Sequence, residues 1–430
     1  MYLVKEIKAF LRKPFVRNVT ILASGTAAAQ VITMAFSPFI TRIYGPEAFG
    51  LLGIFQSLVA MLIPIAALTY PIAIVLPKED SEAKGLMKLS FLVSAAIFCT
   101  VAIILLGGGE KLLALLDAEA IAPYVMLIPL SMVSAAFMQI GRQWLIRKKQ
   151  FAITARVAVL QAFLLNSAKT IIGWINPVGA VLVILATLGH GLHAAMLWAG
   201  IKKSGQLTGR PAPKETSRPS LKKLAKQYYD FPLYRAPQVF LYALSQSLPV
   251  LMLASYFGPS AAGFYTICRA VLDMPCSLVG KAVGDVFYPR VTEAFHRGED
   301  VSRLILKATL ALAGVGFLPF AVVVVFGPQL FSIVFGVEWV RAGEYARWMA
   351  LWKFIGFVNR PSVAAIATLS IQGFFLIFEF ISIGSRIVAL AIGFFFFKND
   401  VAAVALFALV GMLLDLFLIF VTLIRAKKIP

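Results

Sequence analysis

Acidic residues are scarce in this sequence: 20 Asp and Glu stand against 40 Lys and Arg, and only 14% of its 430 residues are charged. A soluble domain carries about 25% charged residues, so an ordinary cytosolic enzyme is excluded. Cysteine is nearly missing. Cys99, Cys268 and Cys276 sit in apolar runs without CxxC spacing, which argues against a disulfide framework or a zinc site. Histidine is rarer than any charged residue type, and His190 and His193, three apart on one helix face with no acid or cysteine near, read as packing or cavity contacts rather than metal ligands. Gly107-Gly108-Gly109-Glu110-Lys111 lacks the spacing of a phosphate-binding P-loop. No cofactor and no metal is expected.

Apolar residues fill the space instead. They make up 60% of the chain, the mean hydropathy is +0.86, and they come in long runs, which is the composition of a polytopic membrane protein. Twelve spans are expected, at 18–40, 49–76, 87–107, 121–141, 154–176, 177–200, 229–257, 264–288, 303–325, 346–369, 373–396 and 401–424. The breaks at Asn176-Pro177 and 369–373 are short enough to be kinks in longer helices. Residues 1–17 hold five cations among Val4, Ile7, Phe10, Leu11 and Phe15, and read as a basic cytoplasmic segment lying on the membrane rather than as a signal peptide.

The formal net charge of +20 would suggest nucleic acid in a soluble protein, so the position of the cations decides its meaning. With twelve spans, 28 Lys and Arg fall in the loops on the side of the N-terminus and five on the other: Arg42, Lys111, Arg341, Arg347 and Lys398. That is the positive-inside pattern, and it puts both termini in the cytoplasm and removes nucleic acid as a partner. The segment 201–228, with three prolines and eight cations, reads as a cytoplasmic linker between an N-terminal six-helix lobe at 18–200 and a C-terminal one at 229–430.

The halves share sequence strings. Tyr44-Gly45-Pro46-Glu47-Ala48-Phe49-Gly50 matches Phe257-Gly258-Pro259-Ser260-Ala261-Ala262-Gly263 at four of seven positions, and Pro77-Lys78 recurs as Pro289-Arg290 at nearly the same offset. Six spans per half is an even number, so the repeats share one orientation.

Seven cations remain inside spans: Lys169, Arg235, Arg269, Lys281, Lys353, Arg360 and Arg386. Each costs about 2.5–3.5 kcal/mol at a lipid-facing helix centre, so a protein interior or a wet cavity is their expected place. Arg269 and Asp273, and Lys281 and Asp285, are four apart and read as ion pairs along the eighth span. Lys353 and Arg360 are seven apart on one face of the tenth span, within reach of Glu379 across the next turn. Trp339, Trp348 and Trp352 read as an interfacial belt. The excess of cations points to a cavity for an anionic headgroup, phosphate above all, since arginine binds it through two parallel hydrogen bonds.

The strings Arg17-Asn18-Val19, Leu22-Ala23-Ser24-Gly25-Thr26-Ala27, Ser37-Pro38, Thr41-Arg42-Ile43 running into the first repeat, Ala73-Ile74-Val75-Leu76-Pro77-Lys78 and the run 362–384 resemble the Wzx-type polysaccharide flippases of the multidrug/oligosaccharidyl-lipid/polysaccharide (MOP) exporter superfamily. The resemblance implies an all-α fold of about twelve transmembrane helices in two pseudo-symmetric six-helix lobes around a central cavity. It implies a flippase that moves undecaprenyl-pyrophosphate-linked oligosaccharide to the outer leaflet of a bacterial inner membrane, working beside polysaccharide polymerase machinery and membrane lipid. Arg42 and Arg269 stand on the two helices from which related lipid II flippases use cations. The expected substrate-binding set is then Arg42, Arg269, Lys353, Arg360 and Arg386, with Asp273, Asp285 and Glu379 as groups for coupling to H⁺ or Na⁺. A drug or cation antiporter of the same superfamily would favour an acidic aromatic pocket, which the excess of intramembrane cations argues against, and a membrane glycosyltransferase or ligase would need carboxylates on a large outer loop, which the short outer loops argue against.

Overall fold

An apolar run that crosses a bilayer must satisfy its backbone hydrogen bonds internally, and the helix does this within one segment. A computed structural model describes residues 14–115, 118–205 and 220–427, with side chains at all of these except 14–19, 115, 278–279, 281–282 and 284–286. Residues 1–13 of the surface segment expected at 1–17 and half of the linker at 201–228 lie outside the described residues. Among the described residues there is no strand.

The order is α1 (Pro14–Ala66), α2 (Tyr70–Ala73), α3 (Asp80–Leu115), α4 (Leu127–Arg147), α5 (Phe151–Ile175), α6 (Gly179–Lys203), α7 (Leu221–Gln227), α8 (Ala236–Phe257), α9 (Pro259–His296), α10 (Val301–Phe335), α11 (Val340–Val358), α12 (Arg360–Ala365), α13 (Gln372–Ile392) and α14 (Asp400–Lys427). By length and apolarity alone, eight helices among the described residues could cross a membrane. α1 covers two expected spans joined at a kink at Gly45, and α4, α9 and α11 fall short because they carry polar and charged residues. Both short breaks are real. Asn176 is extended between α5 and α6, and Ser370 has a positive φ of 53° before α13.

The chain packs as two compact units. Unit 1 comprises 1–44 and 51–251, and unit 2 comprises 45–50 and 252–430. In unit 1, the end that carries the basic loops is filled by Ile74, Leu86, Ile140, Trp144, Leu197 and Leu224. Arg147 pins this end: its Nε is 3.1 Å from Asp80 Oδ1, and its guanidinium donates to the carbonyls of Pro77 and Lys78. It also reaches the Ile74 carbonyl at the end of α2, so one cation satisfies the backbone of the irregular stretch from α2 to α3. In unit 2, Arg290 donates to Glu299 at 2.6 Å and thereby holds that exposed carboxyl below its usual range.

The repeated strings fold alike and meet inside unit 2. Gly45 (φ 69°, ψ 174°) and Gly258 (φ 87°, ψ 170°) adopt the same conformation, open only to glycine, and each is followed by proline at the first helical position. The contact is reciprocal. A Cβ on Gly50 would overlap the carbonyl of Pro259, and one on Gly263 would overlap the carbonyl of Pro46, so the repeat offset maps each contact onto the other. Phe49 and Phe264 lie edge-on to Trp339, with ring centroids 5.3 and 6.0 Å away. Trp339 is 1% exposed, so it is a core residue and not part of an interfacial belt. Its position immediately before α11, against Phe49 and Phe264 of the repeat strings, buries it.

Apolar side chains such as Ile103, Leu106, Val315, Phe317 and Leu318 are exposed along α3 and α10, the surface that hydrocarbon covers. Gly263→Val is expected to lower stability by about 1–3 kcal/mol through overpacking against Pro46. Gly108→Ala, where a Cβ meets nothing, is expected to be neutral or stabilising by about 0.5–1 kcal/mol. Thermal unfolding midpoints in detergent check both.

Candidate functional site

Four of the five expected substrate cations come together in unit 2. Helix α9 presents Arg269 and Asp273 one turn apart, and Arg269 Nε lies 3.2 Å from Asp273 Oδ2. The other oxygen of that carboxylate is 2.5 Å from Lys353 Nζ on α11. The α9 pair is therefore not self-contained, because a single carboxylate serves two cations. Lys281 and Asp285, the second expected pair on α9, have side chains outside the described set.

Seven residues after Lys353 stands Arg360, but the helix between them is broken. Pro361 has no N–H to donate to Phe357, so the hydrogen-bond ladder is interrupted there, and α11 ends at Val358 and α12 starts at Arg360 although Asn359 between them keeps a helical conformation. Both cations nonetheless reach α9, Lys353 at Asp273 and Arg360 against Gly280, seven residues further along. A Cβ at Gly280 would stand 3.0 Å from Arg360 Nε, so glycine makes the room.

Arg386 on α13 lies with its guanidinium 5.3 Å from the ring centre of Trp352, and Lys353 Nζ is 4.6 Å from the same ring. Its Nε donates to the Ser382 carbonyl at 3.0 Å. Trp352 was expected in an interfacial belt; it is instead the floor of the charged cluster, and its Nε1 donates to Asp415 on α14 at 3.0 Å. Asn359 donates to the other oxygen of Asp415 at 3.1 Å. Gly411, one turn before Asp415, lets the indole in, since a Cβ there would be 2.7 Å from Trp352 Nε1.

Glu379 was expected opposite Lys353 or Arg360. Among the described residues it pairs with neither, and the charges that act on it are Arg386, seven residues along its own helix, and Asp415. Arg42 is in unit 1, near the end of the first segment of α1, with an exposed side chain. The side chain of Asp285 is outside the described set.

Four cations thus share a neighbourhood with three carboxylates, and the pairing is uneven. Asp273 takes Arg269 and Lys353, while Asp415 is held by two neutral donors. Among the described residues Arg360 and Arg386 form no ion pair, and Arg360 Nε, Asn359 Oδ1, Ser362 Oγ and Ser382 Oγ are buried without a hydrogen-bond partner. A buried polar atom left unpaired costs about 1–3 kcal/mol, so the four such atoms around α12 and α13 are groups that water or a polar ligand can satisfy. A guanidinium and an ammonium beside a half-buried tryptophan can take an oxyanion and the edge of a sugar ring.

A family model described as "Polysaccharide biosynthesis protein" matches residues 39–344, more than half of the chain. The chain belongs to the polysaccharide biosynthesis protein family. It is 24% identical over 363 residues to the succinoglycan biosynthesis transport protein ExoT of Rhizobium meliloti, covering 80% of this chain and 67% of that one. It is 30% identical to the inner membrane protein YghQ of Escherichia coli over 105 residues, 24% of this chain and 28% of that one. Among solved structures, it is similar to a multidrug resistance MATE family transporter of the MOP superfamily in an inward-facing conformation, with a TM-score of 0.67, 14% identity and coverage of 93% and 95% of the two chains. A MOP superfamily transporter from Pyrococcus furiosus, described as having a binding pocket of reverse polarity, gives a TM-score of 0.62 at 14% identity with 96% of each chain covered. The family member is a multi-pass membrane protein with the MOP transporter fold, and the resemblance drawn from the N-terminal strings holds.

Trp352 and Asn359 were missed in the sequence because each acts on Asp415, 56 or more residues away. A double-mutant cycle of Asp273→Asn and Lys353→Gln is expected to give a coupling of about 1 kcal/mol in thermal unfolding, modest because the carboxylate is partly open to solvent.

Proposed function

We propose that the protein flips undecaprenyl-pyrophosphate-linked oligosaccharide from the cytoplasmic to the outer leaflet of a bacterial inner membrane by alternating access, with both termini in the cytoplasm. Membership of the polysaccharide biosynthesis family and the transporter fold support this reading. The observation that carries it is the pair Arg360 and Arg386, cations at bilayer depth without carboxylate partners. A multidrug or cation antiporter would gain nothing from them, and an enzyme would need a nucleophile or a paired acid and base, which this cluster does not offer.

In this scheme the lobes are 18–200 and 229–430, joined by the cytoplasmic linker 201–228. The pyrophosphate is held by Arg360 and Arg386, and Lys353 and Arg269 are drawn from Asp273 as it arrives. Arg42 meets the headgroup at the outer exit. The polyprenyl chain stays in lipid, and polymerase machinery takes the glycan outside. Ionised carboxylates compete with the phosphates for the same cations, so Asp273, Asp285 and Glu379 are the groups through which H⁺ or Na⁺ would couple to release.

Reconstitution in vesicles with a polyprenyl-pyrophosphate glycan, scoring its leaflet, tests the proposal. Flipping by the wild type is expected, with a loss of about tenfold or more in the double variant Arg360→Gln/Arg386→Gln at an unchanged unfolding midpoint. Full transport by that variant would reject the assignment. Glu379→Gln is expected to make the rate insensitive to an imposed proton or sodium gradient; a response equal to wild type would remove Glu379 from coupling.

A further inference from the structure

A cavity of about 460 Å³ opens at one end of unit 2, and the charged cluster around Trp352 takes no part in it. Its volume lies within the range of about 300–1,000 Å³ in which small molecules are held. Helix α10 carries the chain from the loop before Val301 to Phe335, and α11 begins a few residues later, so the cavity lies at the end of unit 2 away from that loop. In the orientation proposed above this is the outer end. Helix α11 supplies Arg341, Glu344 and Trp348, spaced three and four apart and therefore on one face. Phe397, Asn399 and Leu406 come from the turn into α14 and from its first two turns.

Each polar group here is fixed through one atom and open at another. Asn399 caps α14: its Oδ1 accepts from the N–H of Val401 at 2.9 Å and from that of Ala402 at 3.2 Å. The amide is thereby held still, and among the described residues its Nδ2 has no partner. Glu344 receives Arg341 Nη1 on Oε2 at 3.2 Å and keeps Oε1 unused. Arg341 itself is anchored, with Nε and Nη2 on the two oxygens of Asp400 at 3.2 and 2.5 Å, and the Tyr345 hydroxyl donates to the same carboxylate at 2.6 Å. Trp348 and Phe397 are open, at 37% and 61% exposure, and among the described residues the indole N–H has no partner. The cavity therefore combines two open aromatic rings with two unused donor groups and an unused acceptor on rigid supports.

Charge narrows the ligand. Arg341 meets two carboxylates, Glu344 and Asp400, and neither Arg347 nor Lys398 lines the cavity, so no cation is left for a phosphate or a uronate. An organic cation would want a carboxylate of its own, and both are engaged by Arg341; it would also leave the donors of Asn399 and Trp348 idle. A wholly apolar ligand would strand all three polar groups. A pyranose ring answers the whole set, since it offers a C–H face to an aromatic ring and hydroxyls that both donate and accept.

We propose that this cavity is a binding subsite for uncharged sugar residues, with a pyranose against Trp348 and Phe397 and its hydroxyls bonded to Asn399 Nδ2 and Glu344 Oε1. Its place in transport, as the subsite that receives the glycan at the outer side, rests on the flippase reading; the binding of a neutral sugar does not.

The test is calorimetric binding to the full chain in nanodiscs. The probes are neutral tetrasaccharides of glucose and of galactose, with tetragalacturonate as their charged counterpart. At least one neutral probe is expected to bind, about tenfold or more tighter than tetragalacturonate. Trp348→Ala is expected to weaken it about tenfold, and Trp348→Phe to stay within about threefold. Asn399→Asp keeps the cap on α14 and removes the amide donor, and the same tenfold loss is expected. Glu344→Gln removes a negative charge and is expected to narrow the gap to tetragalacturonate about threefold. Failure of both neutral probes to bind, tighter binding of tetragalacturonate, or unchanged binding in Trp348→Ala and Asn399→Asp at the parent's unfolding midpoint overturns the proposal. Loss of neutral binding when phosphatidylglycerol replaces phosphatidylcholine in the nanodisc gives the cavity to a lipid headgroup and overturns it as well. Trp348-dependent sugar binding in a protein that flips no lipid-linked glycan in vesicles rejects the flippase and leaves the subsite; flipping without sugar binding does the reverse.

Discussion

Hydrocarbon cannot solvate a charge or a hydrogen-bonding group, and this constraint orders the whole molecule. It drives the backbone into helices and turns apolar faces such as that of α10 outward. It also makes every charge left at bilayer depth a question about its partner. In unit 2 the answers are specific. Asp273 neutralises Arg269 and Lys353, Trp352 lends its ring to Lys353 and Arg386, and Asp415 is held by two neutral donors. What these contacts leave unpaired is the guanidinium of Arg360 and that of Arg386.

The duplication supplied the frame and not the chemistry. Gly45 and Gly258, with the prolines after them, repeat one backbone device in both halves, and Gly50 and Gly263 repeat the close approach. Charges do not follow the repeat. The second half carries clustered acids and bases inside its spans, while in the first Lys169 is the one cation inside an expected span and α1 up to Tyr44, α4, α5 and α6 hold no acid. A shared fold with unshared charges fits a pair of lobes that bear different duties.

What could be read in the chain follows from the range of each interaction. The Gly-Pro strings, the break at Asn176 and the one-turn pair Arg269–Asp273 depend on residues within a few positions of each other, and local sequence announces them. Lys353–Asp273, Trp352–Asp415 and Arg360 over Gly280 join residues 63–80 positions apart, and only the packing of α9, α11 and α14 brings them together. Arg360 shows both sides of this. Its depth and charge were legible, and the seven-residue spacing from Lys353 put both on the side that meets α9, but the helix interruption at Pro361 depends on the folded backbone. Trp339 and Trp352 misled because an aromatic near a span end reads the same whether it faces headgroups, a protein core or a charged cluster.

In the proposed flippase, the cations that hold the cargo must also release it. Asp273 would serve this by standing in for an anion when none is bound, so that an arriving phosphate displaces a carboxylate at 2.5–3.2 Å from two cations. That exchange lowers the net gain on binding, and with it the depth of the well from which the ligand must escape. On that proposal Arg360 and Arg386, which form no ion pair among the described residues, attract the headgroup, and Arg269 and Lys353, which share Asp273, limit its hold; such a division is a physical means for one cluster both to capture and to let go.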